Sequence, residues 1–194
     1  TIAHALKEAL PDCTVVGKPE YDFSSRYECH RLVRDFTPEV VINTFAINPK
    51  TDDPWEHLTV NFTSIVYITD LFYNKLQGAQ IINFSSARTY WSSYPGIADG
   101  DFYYNLSKTA LSEFGKLYNR KIADNVRNTL TTFEVGKFNS KMNNFSGGMT
   151  VERVVDTVKD CIDCNFCCKV SYQSMAFIST AEVVFRFANN CTVW

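Results

Sequence analysis

The sequence predicts an α/β protein, a doubly wound parallel sheet with helices on both faces, and three observations predict it. Strand-like and helix-like segments alternate through short connections along the 194 residues, the pattern that parallel sheets demand. Residues 40–43 and 80–84 are apolar-rich runs, as expected of strands buried on both sides. Asn43, Ser85, Ser86 and Glu134 all fall at, or just past, the ends of expected strands, the rim where such sheets bind ligands.

The elements follow in order. Residues 2–10 carry Ile2, Leu6, Ala9 and Leu10 at helical spacing and stop at Pro11. Residues 13–16 read as a strand and 21–23 as a second extended piece. Ser24 and Ser25 then offer N-caps for a helix over about 26–36, which must end before Pro38. After the strand at 40–43, Asp53-Pro54 supplies an N-cap and a first-turn proline. Trp55, Leu58, Phe62, Ile65, Thr69, Phe72 and Leu76 recur at spacings of three and four, predicting one long amphipathic helix closed by Gly78. A strand at 80–84, a loop containing Pro95, a helix over about 102–122 and a strand at 128–133 come next. Thr150 caps a helix holding Val151, Val154, Val155, Val158 and Ile162, and extended runs at 169–172 and 183–187 close the chain.

Composition narrows the function. With 45% hydrophobic and 21% charged residues the chain resembles an ordinary globular protein. A net charge of −2 without a basic cluster argues against nucleic acid. No apolar run reaches the roughly 18 residues that span a bilayer, and no signal peptide opens the sequence, so a cytoplasmic protein is expected. Seven cysteines, four of them at 161, 164, 167 and 168, suit reduced thiols better than a disulfide framework. Cys161-x-x-Cys164-x-x-Cys167 resembles the start of a ferredoxin run, but Cys168 follows too soon for the fourth ligand. Thiols packed along a helix face are the simpler reading, with no metal. His4, His30 and His57 are scattered and receive no role. The Asn-x-Ser/Thr matches at Asn61, Asn83, Asn105, Asn144 and Asn190 are read as chance, several in segments expected to be buried.

The sharpest local signal is Tyr104-Asn-Leu-Ser-Lys108. On a helix these ends share a face, about 6 Å apart at Cβ. A nearby ammonium lowers a phenol's pKa, and a Tyr so tuned exchanges protons with a carbonyl or alcohol near neutral pH. A stacked surface pair is the alternative. A Ser at the end of the strand ending in Ser85-Ser86 can donate to a developing oxyanion, or simply satisfy loop backbone. Asn61 is a poor residue for a helix interior, which asks for a reason, although a solvated amide would also do.

In this order the residues resemble the short-chain dehydrogenase/reductase family, over roughly residues 1–160. Asn43-Thr44-Phe-Ala46 is similar to its Asn-rich segment after the fourth strand, Val60-Asn61 to its helix asparagine, and Ser86 (or Ser85), Tyr104 and Lys108 to its catalytic Ser, Tyr and Lys. Val135-Gly136 and Ser140 resemble the Pro-Gly turn and the nicotinamide-contacting Thr, and Asp22-Phe23 the pair that contacts adenine. The resemblance implies a single Rossmann-type NAD(P)-binding domain over 1–194 and an NAD(P)-dependent oxidoreductase acting on a small carbonyl or alcohol. It implies Tyr104 as general acid/base, and Lys108 as the group that tunes it and holds the nicotinamide ribose. Ser86 would bind the substrate oxygen, and Asn61 would support a proton-relay water. Lys18 lies where a cation favours NADP over NAD. Family analogy adds a homodimer or homotetramer through helices 55–76 and 102–122.

The departures are specific. The family's first strand and Gly-x-x-x-Gly-x-Gly turn are missing, so the resemblance implies on the order of 15 further residues before Thr1. The segment between Val16 and Asp22 leaves no room for the usual helix, and with residues 36–43 resembles nucleotide-sugar reductases and epimerases. A Ser86-to-Tyr104 gap of 18 positions suggests an insertion over the substrate pocket, where Tyr90, Trp91, Tyr94, Phe102 and Tyr103 could line it. A dinucleotide-sensing protein without turnover is the third alternative.

Overall fold

The computed structural model describes residues 2–47, 53–86, 102–122, 128–136, 150–163, 175–177 and 184–186. Helix α1 (Ile2–Ala9) and helix α2 (Arg26–Asp35) precede strand β1 (Val40–Asn43). Then come α3 (Pro54–Leu58), a π-turn (Thr59–Thr63) and α4 (Ser64–Lys75), followed by β2 (Gln80–Ser86), α5 (Phe102–Lys121), β3 (Thr129–Val135) and α6 (Val151–Asp163). Two short antiparallel strands, β4 (Met175–Phe177) and β5 (Val184–Arg186), complete the elements.

Strands β1, β2 and β3 form a parallel sheet in that order. Side-chain alternation sorts them into two layers. Val41, Ile81 and Leu130 face α2, α4 and α5, packing with Cys29, Leu32, Val33, Ile68, Phe72 and Tyr118. Ile82, Phe84, Phe133 and Val135 face the other way, onto Leu6 of α1 and Val154, Val155, Val158 and Cys161 of α6. Helices thus cover both faces, as the strand composition predicts. Gln80 reaches across to the Cys161 carbonyl of α6 at 3.0 Å, so the first position of β2 is tied as well as packed.

The helix ends agree with their sequence signals. Ser25 caps α2 through the Glu28 N–H, Asp53 caps α3 through the Trp55 N–H at 2.9 Å, and Thr150 accepts from the Arg153 N–H at the start of α6. Gly78, at φ +77°, turns the chain after α4. Two further ends are closed from a distance. Lys75 of α4 donates to the carbonyls of Val33, Arg34 and Phe36, neutralising the negative end of α2. Asn128 donates to the Tyr73 and Leu76 carbonyls and accepts from the Ala79 N–H, clamping the end of α4 to the start of β3.

Three expectations need correction. Residues 13–16 are extended but form no strand, because among the described residues nothing lies beside them to share a ladder. Residues 17–25 are turns, closed by the Glu20 and Tyr21 N–H groups on the Gly17 carbonyl and by Ser25 N–H on that of Asp22. The long helix is also not one α-helix. Its π-turn takes up one residue more than an α-turn, so the buried stripe slips by one position. Downstream, Ile65, Thr69, Phe72 and Leu76 face inward as expected, but upstream Asn61 and His57 are fully buried while Trp55 is 75% exposed. The π-turn is held locally by Ser64, whose N–H and hydroxyl both donate to the Thr59 carbonyl.

Helix α5 lies very close to β3. A Cβ at Gly115 would overlap the Thr132 hydroxyl, a buried group with no hydrogen-bond partner among the described residues. Gly115→Ala should therefore destabilise the protein by about 1–3 kcal/mol, the usual cost of overpacking, measured by urea unfolding. Adding Thr132→Ala should restore part of the loss.

Candidate functional site

The carboxyl ends of β1, β2 and β3 carry Asn43, Ser86 and Val135 at one edge of the sheet, and the first turns of α5 carry Tyr104 and Lys108. Beneath it, Asn43 donates to the Asn83 side-chain oxygen at 2.8 Å, and Asn83 donates to Thr69 of α4 at 3.1 Å. All three are buried, so this amide network joins β1, β2 and α4. Asn43 is thereby a structural tie whose backbone leads into the rim loop at Thr44, Phe45, Ala46 and Ile47. That loop has two further anchors. Ile47 N–H donates to Asn61 Oδ1 at 2.8 Å, and the Phe45 ring lies 4.5 Å from that of Phe23. The segment preceding α2 and the loop after β1 therefore share one apolar contact.

Asp22 accepts from both the backbone N–H and the hydroxyl of Ser24, and pairs with Lys18 at 3.1 Å. The Ser24 hydrogen bonds, with Lys18 behind them, hold its carboxyl below the usual carboxylate range. Lys18 and Asp22 are both solvent-accessible, so their pairing adds little stability.

At the end of β2 the two serines separate. The Ser85 hydroxyl is engaged by α5, donating to the Lys108 carbonyl and sharing a hydrogen bond with Ser112, both at 2.7 Å. Ser86 sits at the last paired position, opposite Val135, and is buried. Gly136 follows β3 directly, and Glu134, opposite Ser85, is 1% exposed. Ser140, the remaining cofactor candidate, lies outside the described residues, as do Tyr90, Trp91, Tyr94, Cys164, Cys167 and Cys168. Phe102 and Tyr103 are described and stand exposed on the first turn of α5.

Lys108 is the electrostatic feature of the site. It is 2% exposed, and its Nζ donates to the Phe84 carbonyl at 2.8 Å. Among the described residues no carboxylate pairs with it. Burial pushes the ammonium down to about 8. One turn earlier on the same helix, the half-buried Tyr104 ring stands edge-on to His57 of α3, with centroids 6.3 Å apart and planes at 81°. His57 in turn lies 3.4 Å from the Asn61 amide, Nδ1 to Nδ2. Phenol, imidazole, amide and rim loop thus form one connected series. The sequence reading gave His57 no role; the signal it passed over is the i, i+4 relation of His57 and Asn61.

Among the described residues no His, Cys, Asp and Glu group could hold a metal, and no helix is long and apolar enough to cross a membrane. Of the seven cysteines, Cys161 is buried on the α6 face of the sheet as a packing thiol. Asn61, Asn83 and Asn105 are buried too, so three of the five Asn-x-Ser/Thr matches are unsuited to carry a glycan.

A buried ammonium without a counter-ion opposes folding. The native state sheds the Lys108 proton near pH 8, whereas the unfolded chain keeps it to about 10.5. The unfolded state binds more protons across that window, so stability should rise with pH from about 8 to 10.5, the full penalty applying below. Lys108→Met should stabilise the protein at pH 7 by up to roughly 3 kcal/mol and flatten that pH dependence, as read by urea titrations at pH 7 and 9.5.

Comparison with known proteins places the architecture. No protein-family model matches the chain, and no curated protein matches it significantly by sequence. Solved structures do match. A short-chain dehydrogenase from Burkholderia cenocepacia J2315 in complex with NADP aligns with a TM-score of 0.63 at 16% identity, over 73% of this chain and 67% of that one. BdcA in complex with NADPH aligns with a TM-score of 0.66 at 15% identity, over 84% and 74%. A short-chain dehydrogenase/reductase variant from Serratia marcescens aligns with a TM-score of 0.65 at 18% identity, over 81% and 74%. The chain has the Rossmann-like fold of these proteins.

Proposed function

We propose that this chain acts as an NAD(P)-dependent oxidoreductase that interconverts a small carbonyl compound and its alcohol. The observation that carries the reading is Lys108. A protein under selection for stability alone would not bury an ammonium that, among the described residues, meets one carbonyl and no carboxylate, one helical turn from a phenol.

The residues fit a dinucleotide. The Lys108 ammonium has three donors and, among the described residues, uses one on Phe84; the others would serve the hydroxyls of a ribose. The rim loop at Thr44–Ala46, with Val135 and Gly136 beyond the neighbouring strand, would flank the nicotinamide end. Phe23 and Asp22 would meet the adenine end. Lys18 would favour a 2′-phosphate, so NADP is preferred over NAD; two of the aligned structures were solved with NADP or NADPH. The bound nicotinamide would supply or accept the hydride.

The chain's own residues do the rest. The Lys108 charge makes the Tyr104 phenol a stronger acid, so the phenol gives its proton to the carbonyl oxygen in reduction and recovers it in oxidation. Ser86, at the end of β2, donates a hydrogen bond to that same oxygen, while Ser85 ties the strand to α5. Asn61 anchors the rim loop through Ile47 and supports the water that returns protons to Lys108.

Incubating the protein with NADPH or NADH and a panel of aldehydes and ketones, and following nicotinamide absorbance, tests the reading. Tyr104→Phe should lower kcat by on the order of 10³ while leaving cofactor affinity close to the parent's. Undiminished turnover in that variant would remove Tyr104 as the acid.

A further inference from the structure

We propose that His57 is a positioning residue that braces Tyr104 against Asn61, with its ring held in a single tautomer. The inference rests on the oxidoreductase reading above and assigns a part to a side chain which that mechanism does not use.

The orientation of Asn61 comes first. Its Oδ1 accepts from the Ile47 N–H at 2.8 Å, so the other end of the amide, turned toward His57, is the NH2 group. At 3.4 Å from His57 Nδ1, that group can only donate. Nδ1 must then present its lone pair, which places the ring hydrogen on Nε2. Asn61 is 0% exposed, and so is His57, so neither can exchange the other for water.

The second link is steric. Tyr104 lies on α5 and Asn61 in the π-turn, and His57 meets both, its ring nearly perpendicular to the phenol ring. A phenol that must meet a substrate oxygen needs its ring plane fixed, and a flat wall one helix away supplies that. The π-turn makes this possible. An uninterrupted α-helix would direct Leu58 and Phe62 inward instead of His57 and Asn61, and an aliphatic wall could not accept from the amide. The sequence of contacts therefore runs from the rim loop through Asn61 and His57 to the proposed acid.

Histidine-nitrogen NMR of the full chain, labelled at its histidine nitrogens and free of cofactor, reads the first half directly. His57 should show Nδ1 without a hydrogen and Nε2 with one, and Asn61→Ala should loosen that preference. Finding the hydrogen on Nδ1 overturns the proposal, whatever the catalytic result. Kinetics read the second half. His57→Phe keeps the wall and loses the acceptor; His57→Asn keeps an acceptor at the position of Nδ1 and loses the wall. Each should lower kcat by about 10- to 100-fold, with KM for cofactor little changed, and the change His57→Leu, which loses both, should cost more than either. A structural role alone would lower the unfolding midpoint and leave kcat per folded molecule intact, and that result also overturns the proposal. The two readings fail separately: full activity in Tyr104→Phe defeats the oxidoreductase mechanism, whereas an inactive Tyr104→Phe beside fully active His57 variants defeats only the brace.

Discussion

Helix α5 rests on β2 and β3 through small and polar groups, and the geometry of the rim follows from that seat. Gly115 lets the helix backbone approach Thr132. Ser112 meets Ser85, and Asn119 donates to the Leu130 carbonyl at 3.0 Å, so three successive turns are each fixed to the sheet. A helix held this low carries Lys108 beneath the surface, where the Phe84 carbonyl is within reach and water is not. With bulkier residues at 112 and 115 the same lysine would extend to solvent, and its influence on a neighbouring phenol would be screened.

The cost of that arrangement is distributed. The buried ammonium, with no carboxylate beside it among the described residues, weakens the fold locally, while elsewhere side chains close helix ends. Lys75 serves three carbonyls of α2, and Asn128 serves both the end of α4 and the loop into β2. Exposed backbone carbonyls are among the cheaper liabilities to remove, since each needs one donor and no new core. The same division separates the two asparagines of the sheet, where Asn43 donates to Asn83 and Asn83 to Thr69, from Lys108, which among the described residues has one acceptor for three donors.

Most of the layered architecture was legible because it depends on patterns that survive averaging. Apolar runs marked β1 and β2, and capping residues marked α2, α3 and α6. Tyr104 and Lys108 were legible because a fixed spacing on a helix is itself a geometric statement. What was not legible depended on partners. Residues 13–16 have a strand's composition, but a strand exists only beside another. Nothing in the pair Ser85-Ser86 says which hydroxyl is engaged; Ser112, more than twenty positions later, decides it. His57 was not legible because a regular 3.6-residue period places Leu58 inward, and the π-turn that reverses this is closed by Ser64 on the Thr59 carbonyl, which no hydrophobic pattern announces.

That irregular turn also bears on how the protein tolerates change in length. A π-turn stores one residue beyond what an α-helix needs, and each residue of helix corresponds to about 100° of rotation. Deleting a single residue within 59–63 would let the segment relax into unbroken α-helix without altering α4, its partners or the sheet. The preceding turn would keep its facing too, because the five-residue hydrogen-bonded turn from Thr59 to Ser64 would become an ordinary four-residue one, and the imidazole would stay beside the phenol ring. Straightening the segment at full length would instead rotate that turn by roughly 100°, and the wall facing the phenol would become greasy where it is now polar.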